Sequence, residues 1–302
     1  MQTPPRVSIA LPVYNGEKYL EKALDSILSQ TFSDFELIIS DNASTDRTQE
    51  ICQTYVAKDQ RIRYSRNQEN LGAAKNYNRV VEVCSGKYFK WIAHDDVYAP
   101  EYLERCVEIL DHKPDIILCY PRTVFIDEDD QVIDYYIDGF DLRSPKPHKR
   151  FRDALNASSW CNPVLGLIRI DYLRRTVLIG NYPSSDKVLL AELALLGQYY
   201  EIPEHLFFRR LHSQNSVKIN TTDNSLSAWF DPKTKGKLMA PRWKRLIEYV
   251  KAIGRTPMNC SERTRCYIGL IYFYLSLRRV VGVTKDLRQI YTVIFKNNGS
   301  QP

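Results

Sequence analysis

The chain of 302 residues has no run of apolar residues long enough to cross a bilayer. Its longest uncharged apolar stretch, Cys266–Leu277, falls short of the roughly 20 residues that a spanning helix needs. Met1–Arg6 has no apolar core of the signal-peptide kind. None of the seven cysteines forms a C-x-x-C pair, and their number is odd. They read as reduced core thiols, which argues against a disulfide framework and for a reducing compartment. These absences together lead to the expectation of a cytoplasmic protein. There are no internal repeats. Nor is there the aromatic and basic interleaving that reads bases, so no nucleic-acid partner is expected.

What is present is an ordinary globular composition, 44% hydrophobic and 26% charged. The length suits one large domain, or one domain with an appendage. A net charge of +6 suits a phosphorylated substrate or an anionic membrane surface.

The first hundred residues alternate between strand and helix. Val7–Leu11 is a short β-branched run ended by Pro12, and a helix is expected from about Glu17, with Leu20, Ala23, Leu24, Ile27 and Leu28 on one face. Phe35–Ser40 is a second strand, and Ser44 or Thr45 is expected to cap the helix that runs to about Ala57. A short strand near Ile62–Ser65 precedes a helix carrying Tyr77, Val80, Val81 and Cys84, with Gly86 as its expected stop. Tyr88–Ala93 is a strand running into His94-Asp95-Asp96, and Pro100 opens a helix with Leu103, Cys106, Val107 and Leu110 inside. Such regularity predicts an α/β, doubly wound, mostly parallel sheet, whose ligands bind beyond the carboxyl ends of the strands.

The pattern then changes. Ile116–Tyr120, Thr123–Ile126 and Val132–Tyr136 read as strands with Asp127–Gln131 as a turn, an antiparallel addition to the sheet. Asp138–Phe151, rich in Pro, Lys and Arg, is expected to be a mobile loop. Leu189, Leu190, Leu193 and Leu196 mark a buried helix closed by Gly197. Residues from Val217 to about Arg245 are polar and basic, and Arg242–Phe295 is expected to be helical.

Three polar loops share one rim: Pro12–Glu17, Asp41–Asp46 and His94–Asp96. In a strand, the adjacent carboxylates of Asp95 and Asp96 point to opposite faces and serve different partners. A buried carboxylate pair needs a cation or donors, and a divalent ion is the natural compensation. The alternative is a solvated pair, or an N-cap for the next helix. Asp41 can accept from a base N–H or a ribose hydroxyl, or it is a turn residue. Pro12, Tyr14 and Asn15 can present a carbonyl and a ring to a base. Arg66 and Lys75 can meet phosphates, or be solvated. Asp186, before an apolar helix, can be an N-cap or a general base. His212, in Arg209-Arg210-Leu211-His212-Ser213, can be structural or can contact a diphosphate.

Taken together, these segments resemble the family 2 glycosyltransferases of the GT-A fold. The resemblance is carried by Val7-Ser8-Ile9-Ala10-Leu11-Pro12-Val13-Tyr14-Asn15-Gly16, Ser26-Ile27-Leu28-Ser29-Gln30-Thr31-Phe32, Glu36–Asp46, Asn70-Leu71-Gly72 and Ala93-His94-Asp95-Asp96. A weaker likeness continues through Ser185-Asp186 and Arg209–Ser213. It implies a GT-A type, Rossmann-like domain over 1–220, with a nucleotide-binding half at about 6–130 and an acceptor half at about 131–220. A basic, largely helical extension would occupy 221–302. The implied activity is inverting transfer of a single sugar from a nucleoside-diphosphate sugar, usually a UDP-sugar, to a glycan or lipid-linked acceptor, in cell-surface polysaccharide biosynthesis. The implied nucleotide contacts are Pro12, Tyr14, Glu17, Asp41 and Asp95, beside Asn15, Arg66 and Lys75 at the rim. Asp96, with His212 as a second candidate, would hold Mn²⁺ or Mg²⁺, and Asp186 would be the catalytic base. Many family members have an aspartate two positions before Asp95, where this chain has Ala93. The Gln-x-x-Arg-Trp motif of processive synthases is absent, which favours single addition.

Two other classes compete. One is a catalytically silent sugar-nucleotide or glycan binding module on the same fold. The other is a nucleotidyltransferase, which would want a glycine-rich first loop where this chain has only Gly16. Finally, Cys266–Leu277 beside Arg278, Arg279, Lys285 and Arg288 suggests a peripheral contact with the inner face of a membrane. Packing on the catalytic domain, or on a second subunit in a homodimer, is the alternative.

Overall fold

A computed structural model describes residues 4–286, apart from 158, 159, 238, 277 and 278. The expectations placed on Leu277, Arg278, Arg288 and the stretch up to Phe295 therefore lie outside the described residues.

The parallel half is built as periodicity predicts. Strands β1 (Val7–Val13), β2 (Phe35–Asp41), β3 (Ile62–Arg66) and β4 (Tyr88–Trp91) run parallel in the order β3-β2-β1-β4. Helices α1 (Leu20–Leu28), α2 (Thr48–Lys58) and α3 (Ala73–Val83) make the crossovers. β1 and β2 are buried along their whole length, as expected of strands covered on both faces. Ile9, Leu11, Leu37 and Ile39 share a core with Leu20, Leu24 and Ile27 of α1 and Val80 and Val81 of α3.

Beyond β4 come β5 (Val97–Tyr98), α4 (Tyr102–His112), β6 (Ile116–Ile126), β7 (Val132–Tyr136), α5 (Pro147–Asn156), β8 (Leu167–Arg169), α6 (Ile170–Leu173), α7 (Ser185–Leu196) and β9 (Gln198–Arg210). The sheet continues β4-β8-β6-β9-β5, with β7 also on β6. β8 lies antiparallel between β4 and β6, and β9 runs parallel to β6. The result is a mixed α/β sheet with the antiparallel addition. After it come α8 (Ser216–Ile219), α9 (Asp223–Phe230), α10 (Pro241–Arg255) and α11 (Cys260–Tyr274), so the C-terminal region is helical.

Several local expectations are corrected. The first helix starts at Leu20, not Glu17. Neither Ser44 nor Thr45 caps α2; the Asp46 carboxylate accepts from the Thr48 amide at 3.0 Å instead. Gly86 is not the stop of α3, which ends at an extended Cys84. Gly86 is needed because a Cβ there would lie 2.6 Å from the Ser8 amide nitrogen. β4 stops at Trp91, before Ala93. The two strands expected either side of Pro121 are one, β6. Pro121 sits at a register shift against β9 and in the gap between the β8 and β7 pairings, where a missing N–H is tolerated. The expected loop over 138–151 contains the start of α5, opened by Pro147 in its first turn. Arg150 is buried there, and its guanidinium donates to the Ala194 and Leu195 carbonyls, satisfying the C-terminus of α7. None of the seven cysteines is in a disulfide, and all but Cys260 are buried.

Candidate active site

The loops after β1 and β2 are laced together by side chains. The Asn15 amide donates to Ser44 Oγ at 2.9 Å, and Asn15 Oδ1 accepts from the Thr45 amide at 2.8 Å. Gly16 N donates to Thr48 Oγ1 and Glu17 N to Asp46, while Glu17 Oε2 accepts from Arg47 N. Asn15 and Ala43 hold left-handed backbone, φ 52° and 63°. Pro12 lies buried within β1 opposite Ser40, and Tyr14 is exposed just beyond the strand.

Asp41, at the end of β2, is fully buried. It accepts from Ser44 N at 2.8 Å and Tyr64 Oη at 2.7 Å, with Arg66 Nε at 3.4 Å. A carboxylate has about four lone-pair sites, so one is left for a ligand. Arg66 also donates to the Ser44 carbonyl. Asn42, Asn67, Asn70 and Asn76 bond to one another behind this corner. Lys75 is exposed on the first turn of α3 and has no ion-pair partner among the described residues.

Asp95 and Asp96 follow β4 and lead into β5, which is pinned antiparallel to Phe207 and Phe208 of β9. Their carboxylates do meet different partners. Asp95 Oδ2 accepts from His212 Nε2 at 2.9 Å and Asn215 Nδ2 at 3.3 Å. Asp96 Oδ1 accepts from the Arg210 amide at 2.9 Å. Burial opposes ionisation of Asp95, but His94 and the His212 hydrogen bond outweigh it and hold the group below the usual carboxylate range. Asp96 is pushed up, first by burial and then by the charge of Asp95, with Arg209 only partly offsetting this.

Arg210 is fully buried and was visible in the sequence only as part of a basic cluster. Its guanidinium donates to the Asp95 and Asp127 carbonyls, pairs with Asp130 and lies 4.7 Å from the Tyr19 ring centroid. The Tyr19 ring also packs on His212. His212 Nδ1 is buried with no hydrogen-bond partner.

Asp186 lies in the first turn of α7, after Ser184 in left-handed backbone at φ 61°. Cys161, also at φ 61°, has its thiol pushed up by burial first and then by the nearby Asp186. The half-buried Tyr77 phenol is raised by burial and by the charges of Asp95, Asp96 and Asp186, against Arg209. Tyr77, which the sequence marked only as part of a helix face, thus lies within electrostatic reach of Asp95, Asp96, Asp186 and Arg209. A separate cavity of about 270 Å³, lined by Lys113, Asp115, Arg143 and Tyr200, opens at the amino end of β6, the opposite edge of the sheet.

Residues 8–164 match the family model described as glycosyl transferase family 2. An uncharacterized glycosyltransferase of Haemophilus influenzae is 28% identical over 76% of this chain and 72% of its own length. Another, of Methanocaldococcus jannaschii, is 35% identical over 43% of this chain, and the match spans only 45% of that relative. Among solved structures, S. aureus TarS has a TM-score of 0.64 at 16% identity, covering 92% of this chain and 74% of that one. TarS has been solved with UDP and with UDP-GlcNAc. A mannosyltransferase from Pyrobaculum calidifontis, in complex with GDP-Man and Mn²⁺, has a TM-score of 0.56 at 15% identity over 97% of this chain and 76% of its own. At these identities the likeness is one of fold.

Proposed function

The chain belongs to glycosyl transferase family 2, and from that premise we propose that it moves a single sugar from a UDP-sugar to a hydroxyl of a glycan or lipid-linked acceptor, with inversion. The observation that carries this reading is the placement of Asp41 and the Asp95-Asp96 pair at and beyond the carboxyl ends of parallel strands, each held by named donors, with the charge of Asp186 within reach of the same Tyr77 phenol. Asp41 takes the base at its remaining lone pair, beside Pro12 and Tyr14. Arg66 and Lys75 face the diphosphate. Asn15 and Glu17 hold the two loops in register. Asp95, oriented by His212 and Asn215, receives the ribose or donor sugar.

Among the described residues no three His, Cys, Asp or Glu side chains gather closely enough to hold a metal by themselves. Asp96 nevertheless fits one. It is buried, it accepts a hydrogen bond from the Arg210 amide, and its charge is only partly offset by Arg209. A Mg²⁺ or Mn²⁺ bound by one or two carboxylates completes its shell with water and substrate phosphates. Asp96 would hold it, with the buried His212 Nδ1 as a second candidate. Bound there, the ion would neutralise charge on the departing diphosphate.

Asp186 takes the proton from the acceptor hydroxyl as that oxygen attacks the anomeric carbon. The bond to the diphosphate breaks on the opposite side, and the nucleoside diphosphate leaves. The charge of Arg209 partly offsets that of Asp96.

The proposed setting is cell-surface polysaccharide biosynthesis, on the cytoplasmic face of a membrane. No single helix among the described residues is long and apolar enough to cross a bilayer. Ile268, Ile271 and Tyr272 of α11 and Leu275 just after it are exposed at helical spacing, and Val280 and Val281 follow across an 86° bend. With Arg279 and Lys285 beside them, they form an apolar and basic surface suited to anionic lipid. A homodimer through the same surface is the competing use.

Thermal-shift measurement against a panel of nucleotide sugars with Mn²⁺ tests the donor reading. One UDP-sugar should raise the melting temperature of the wild type, and Asp96→Ala should lose that Mn²⁺-dependent shift. Equal shifts in the two proteins would remove Asp96 from the metal role.

A further inference from the structure

Trp160, between α5 and β8, is 49% exposed, yet its ring is fixed from two sides. The Arg209 guanidinium lies 5.3 Å from the ring centroid and donates to the Trp160 carbonyl at 3.0 Å. The Phe125 ring meets it at 5.5 Å, inclined at 62°, and Tyr136 packs on Phe125 at 5.2 Å. The next two residues are fixed as well. Cys161 holds left-handed backbone with its thiol near Asp186. Asn162 donates to Thr123 Oγ1 at 2.9 Å and Asp138 Oδ2 at 3.1 Å, and accepts from Arg209. Trp160 is thus one residue from Cys161, whose thiol Asp186 is close enough to push up. It is also one guanidinium away from Asp96, whose charge Arg209 offsets.

We infer that Trp160 is the platform on which a sugar ring of the acceptor stacks, its open face meeting the C–H face of a pyranose and directing a ring hydroxyl toward Asp186. This rests on the transferase reading above and names the acceptor chemistry at that site. A pyranose has a flat apolar face and a polar rim. An indole presents a broad apolar surface with few rotatable bonds, so little freedom is lost when it is covered. Arg209 takes one face and leaves the other, so the platform is formed before the ligand arrives. Arg209 on the ring, and the buried polar cluster of Asn162, Thr123 and Asp138 that Arg209 joins to it, disfavour a lipid chain there, since a chain would want continuous apolar surface.

The test is saturation-transfer NMR on the full chain with methyl β-glucoside, methyl β-galactoside and methyl N-acetyl-β-glucosaminide, each with and without UDP and Mg²⁺. UDP affinity is measured separately by calorimetry. At least one glycoside should receive saturation through its ring C–H protons. Trp160→Ala and Trp160→Leu should weaken that glycoside about tenfold, and Trp160→Phe should keep most of its affinity. UDP affinity should be the same in all four proteins. If no glycoside contacts the wild type, or the Ala and Leu variants bind it as the wild type does, the platform is overturned whatever UDP does. If the wild type does not bind UDP, the donor reading falls instead, and the glycoside measurement still decides the platform.

Discussion

The loops after β1 and β2 and the segments around Asp186 stand at one rim and are held in opposite ways. On the side proposed to hold the nucleotide, hydrogen bonds run reciprocally between loops, from Asn15 to Ser44 and Thr45 and from Glu17 to Asp46 and Arg47. On the Asp186 side the backbone is left-handed at Cys161 and Ser184, as it is at Asn15 and Ala43 on the other, but no such loop-to-loop lacing is named there, and a large ring stands open at Trp160. Non-glycine residues keep such conformations only where their surroundings over-determine them. Arg209 and the Asn162 cluster supply that constraint. The difference suits two kinds of ligand: a nucleotide of constant shape on one side, and on the other a partner that stacks and must be aimed.

Breaking the aimed side should have the largest effect. Asp186→Asn should lower transfer by about a hundredfold to ten-thousandfold, the usual worth of a general base, with UDP affinity unchanged by calorimetry. Normal turnover would take Asp186 out of that role. Arg210 joins the two sides, tying Asp95 to the 127–130 turn and stacking on Tyr19. Arg210→Met should cost about 3 kcal/mol in urea unfolding, because it leaves buried carbonyls unpaired beside Asp96. A loss below about 1 kcal/mol would mean that the junction holds without it.

Lys90 sharpens the comparison from beneath. It is fully buried in β4, bonds the Leu165 carbonyl and is surrounded by the Tyr98, Tyr102 and Phe207 rings. Burial lowers its ammonium from 10.5 to about 7. Between those values the unfolded chain carries the proton and the folded chain does not, so stability should rise with pH across that window, by at most about 1.4 kcal/mol per unit from this group. The cost of charging Lys90 is fully present below about 7. Lys90→Met should flatten this part of the slope in unfolding measured from pH 7 upward, and an unchanged slope would mean that Lys90 stays charged. The smallest effect on the fold is expected on α11. Ile271→Asp with Leu275→Asp should shift stability by about 0.5 kcal/mol or less and abolish sedimentation with anionic liposomes. Liposome binding unchanged by the pair, or absent from the wild type at low salt, would end the membrane reading.

The parallel half was legible because its signals are local. Apolar residues at helical spacing set α1, α3 and α4, and continuous apolar runs set β1 and β2. The motif Ser26–Phe32 belongs to this layer: buried Gln30 accepts from Leu103 N and donates to the Ala99 carbonyl, fixing α1 against the start of α4. What escaped depends on distant partners. β5 has two residues and exists through Phe207 and Phe208. α5 looked like a loop because its basic residues suggest solvent, yet Arg150 is spent inside on the end of α7. Within the site, the three carboxylate positions could be picked from strand and helix ends. Arg210 could not be separated from Arg209 by sequence. Only the pairing of β9 with β6 decides which guanidinium is buried under Asp95 and which turns to Trp160.

The antiparallel clasp of β5 on β9 also sets an order in time. Every hydrogen bond to the Asp95 and Asp96 carboxylates named above comes from residues 210–215, more than a hundred positions downstream. A chain still emerging from the ribosome can close the sheet from β1 to β4 early, because those strands pair among themselves. Its carboxylate pair has no donors until β9 has been synthesised. The nucleotide corner around Asp41 is therefore a product of the first third of translation, and a competent site is a product of the last.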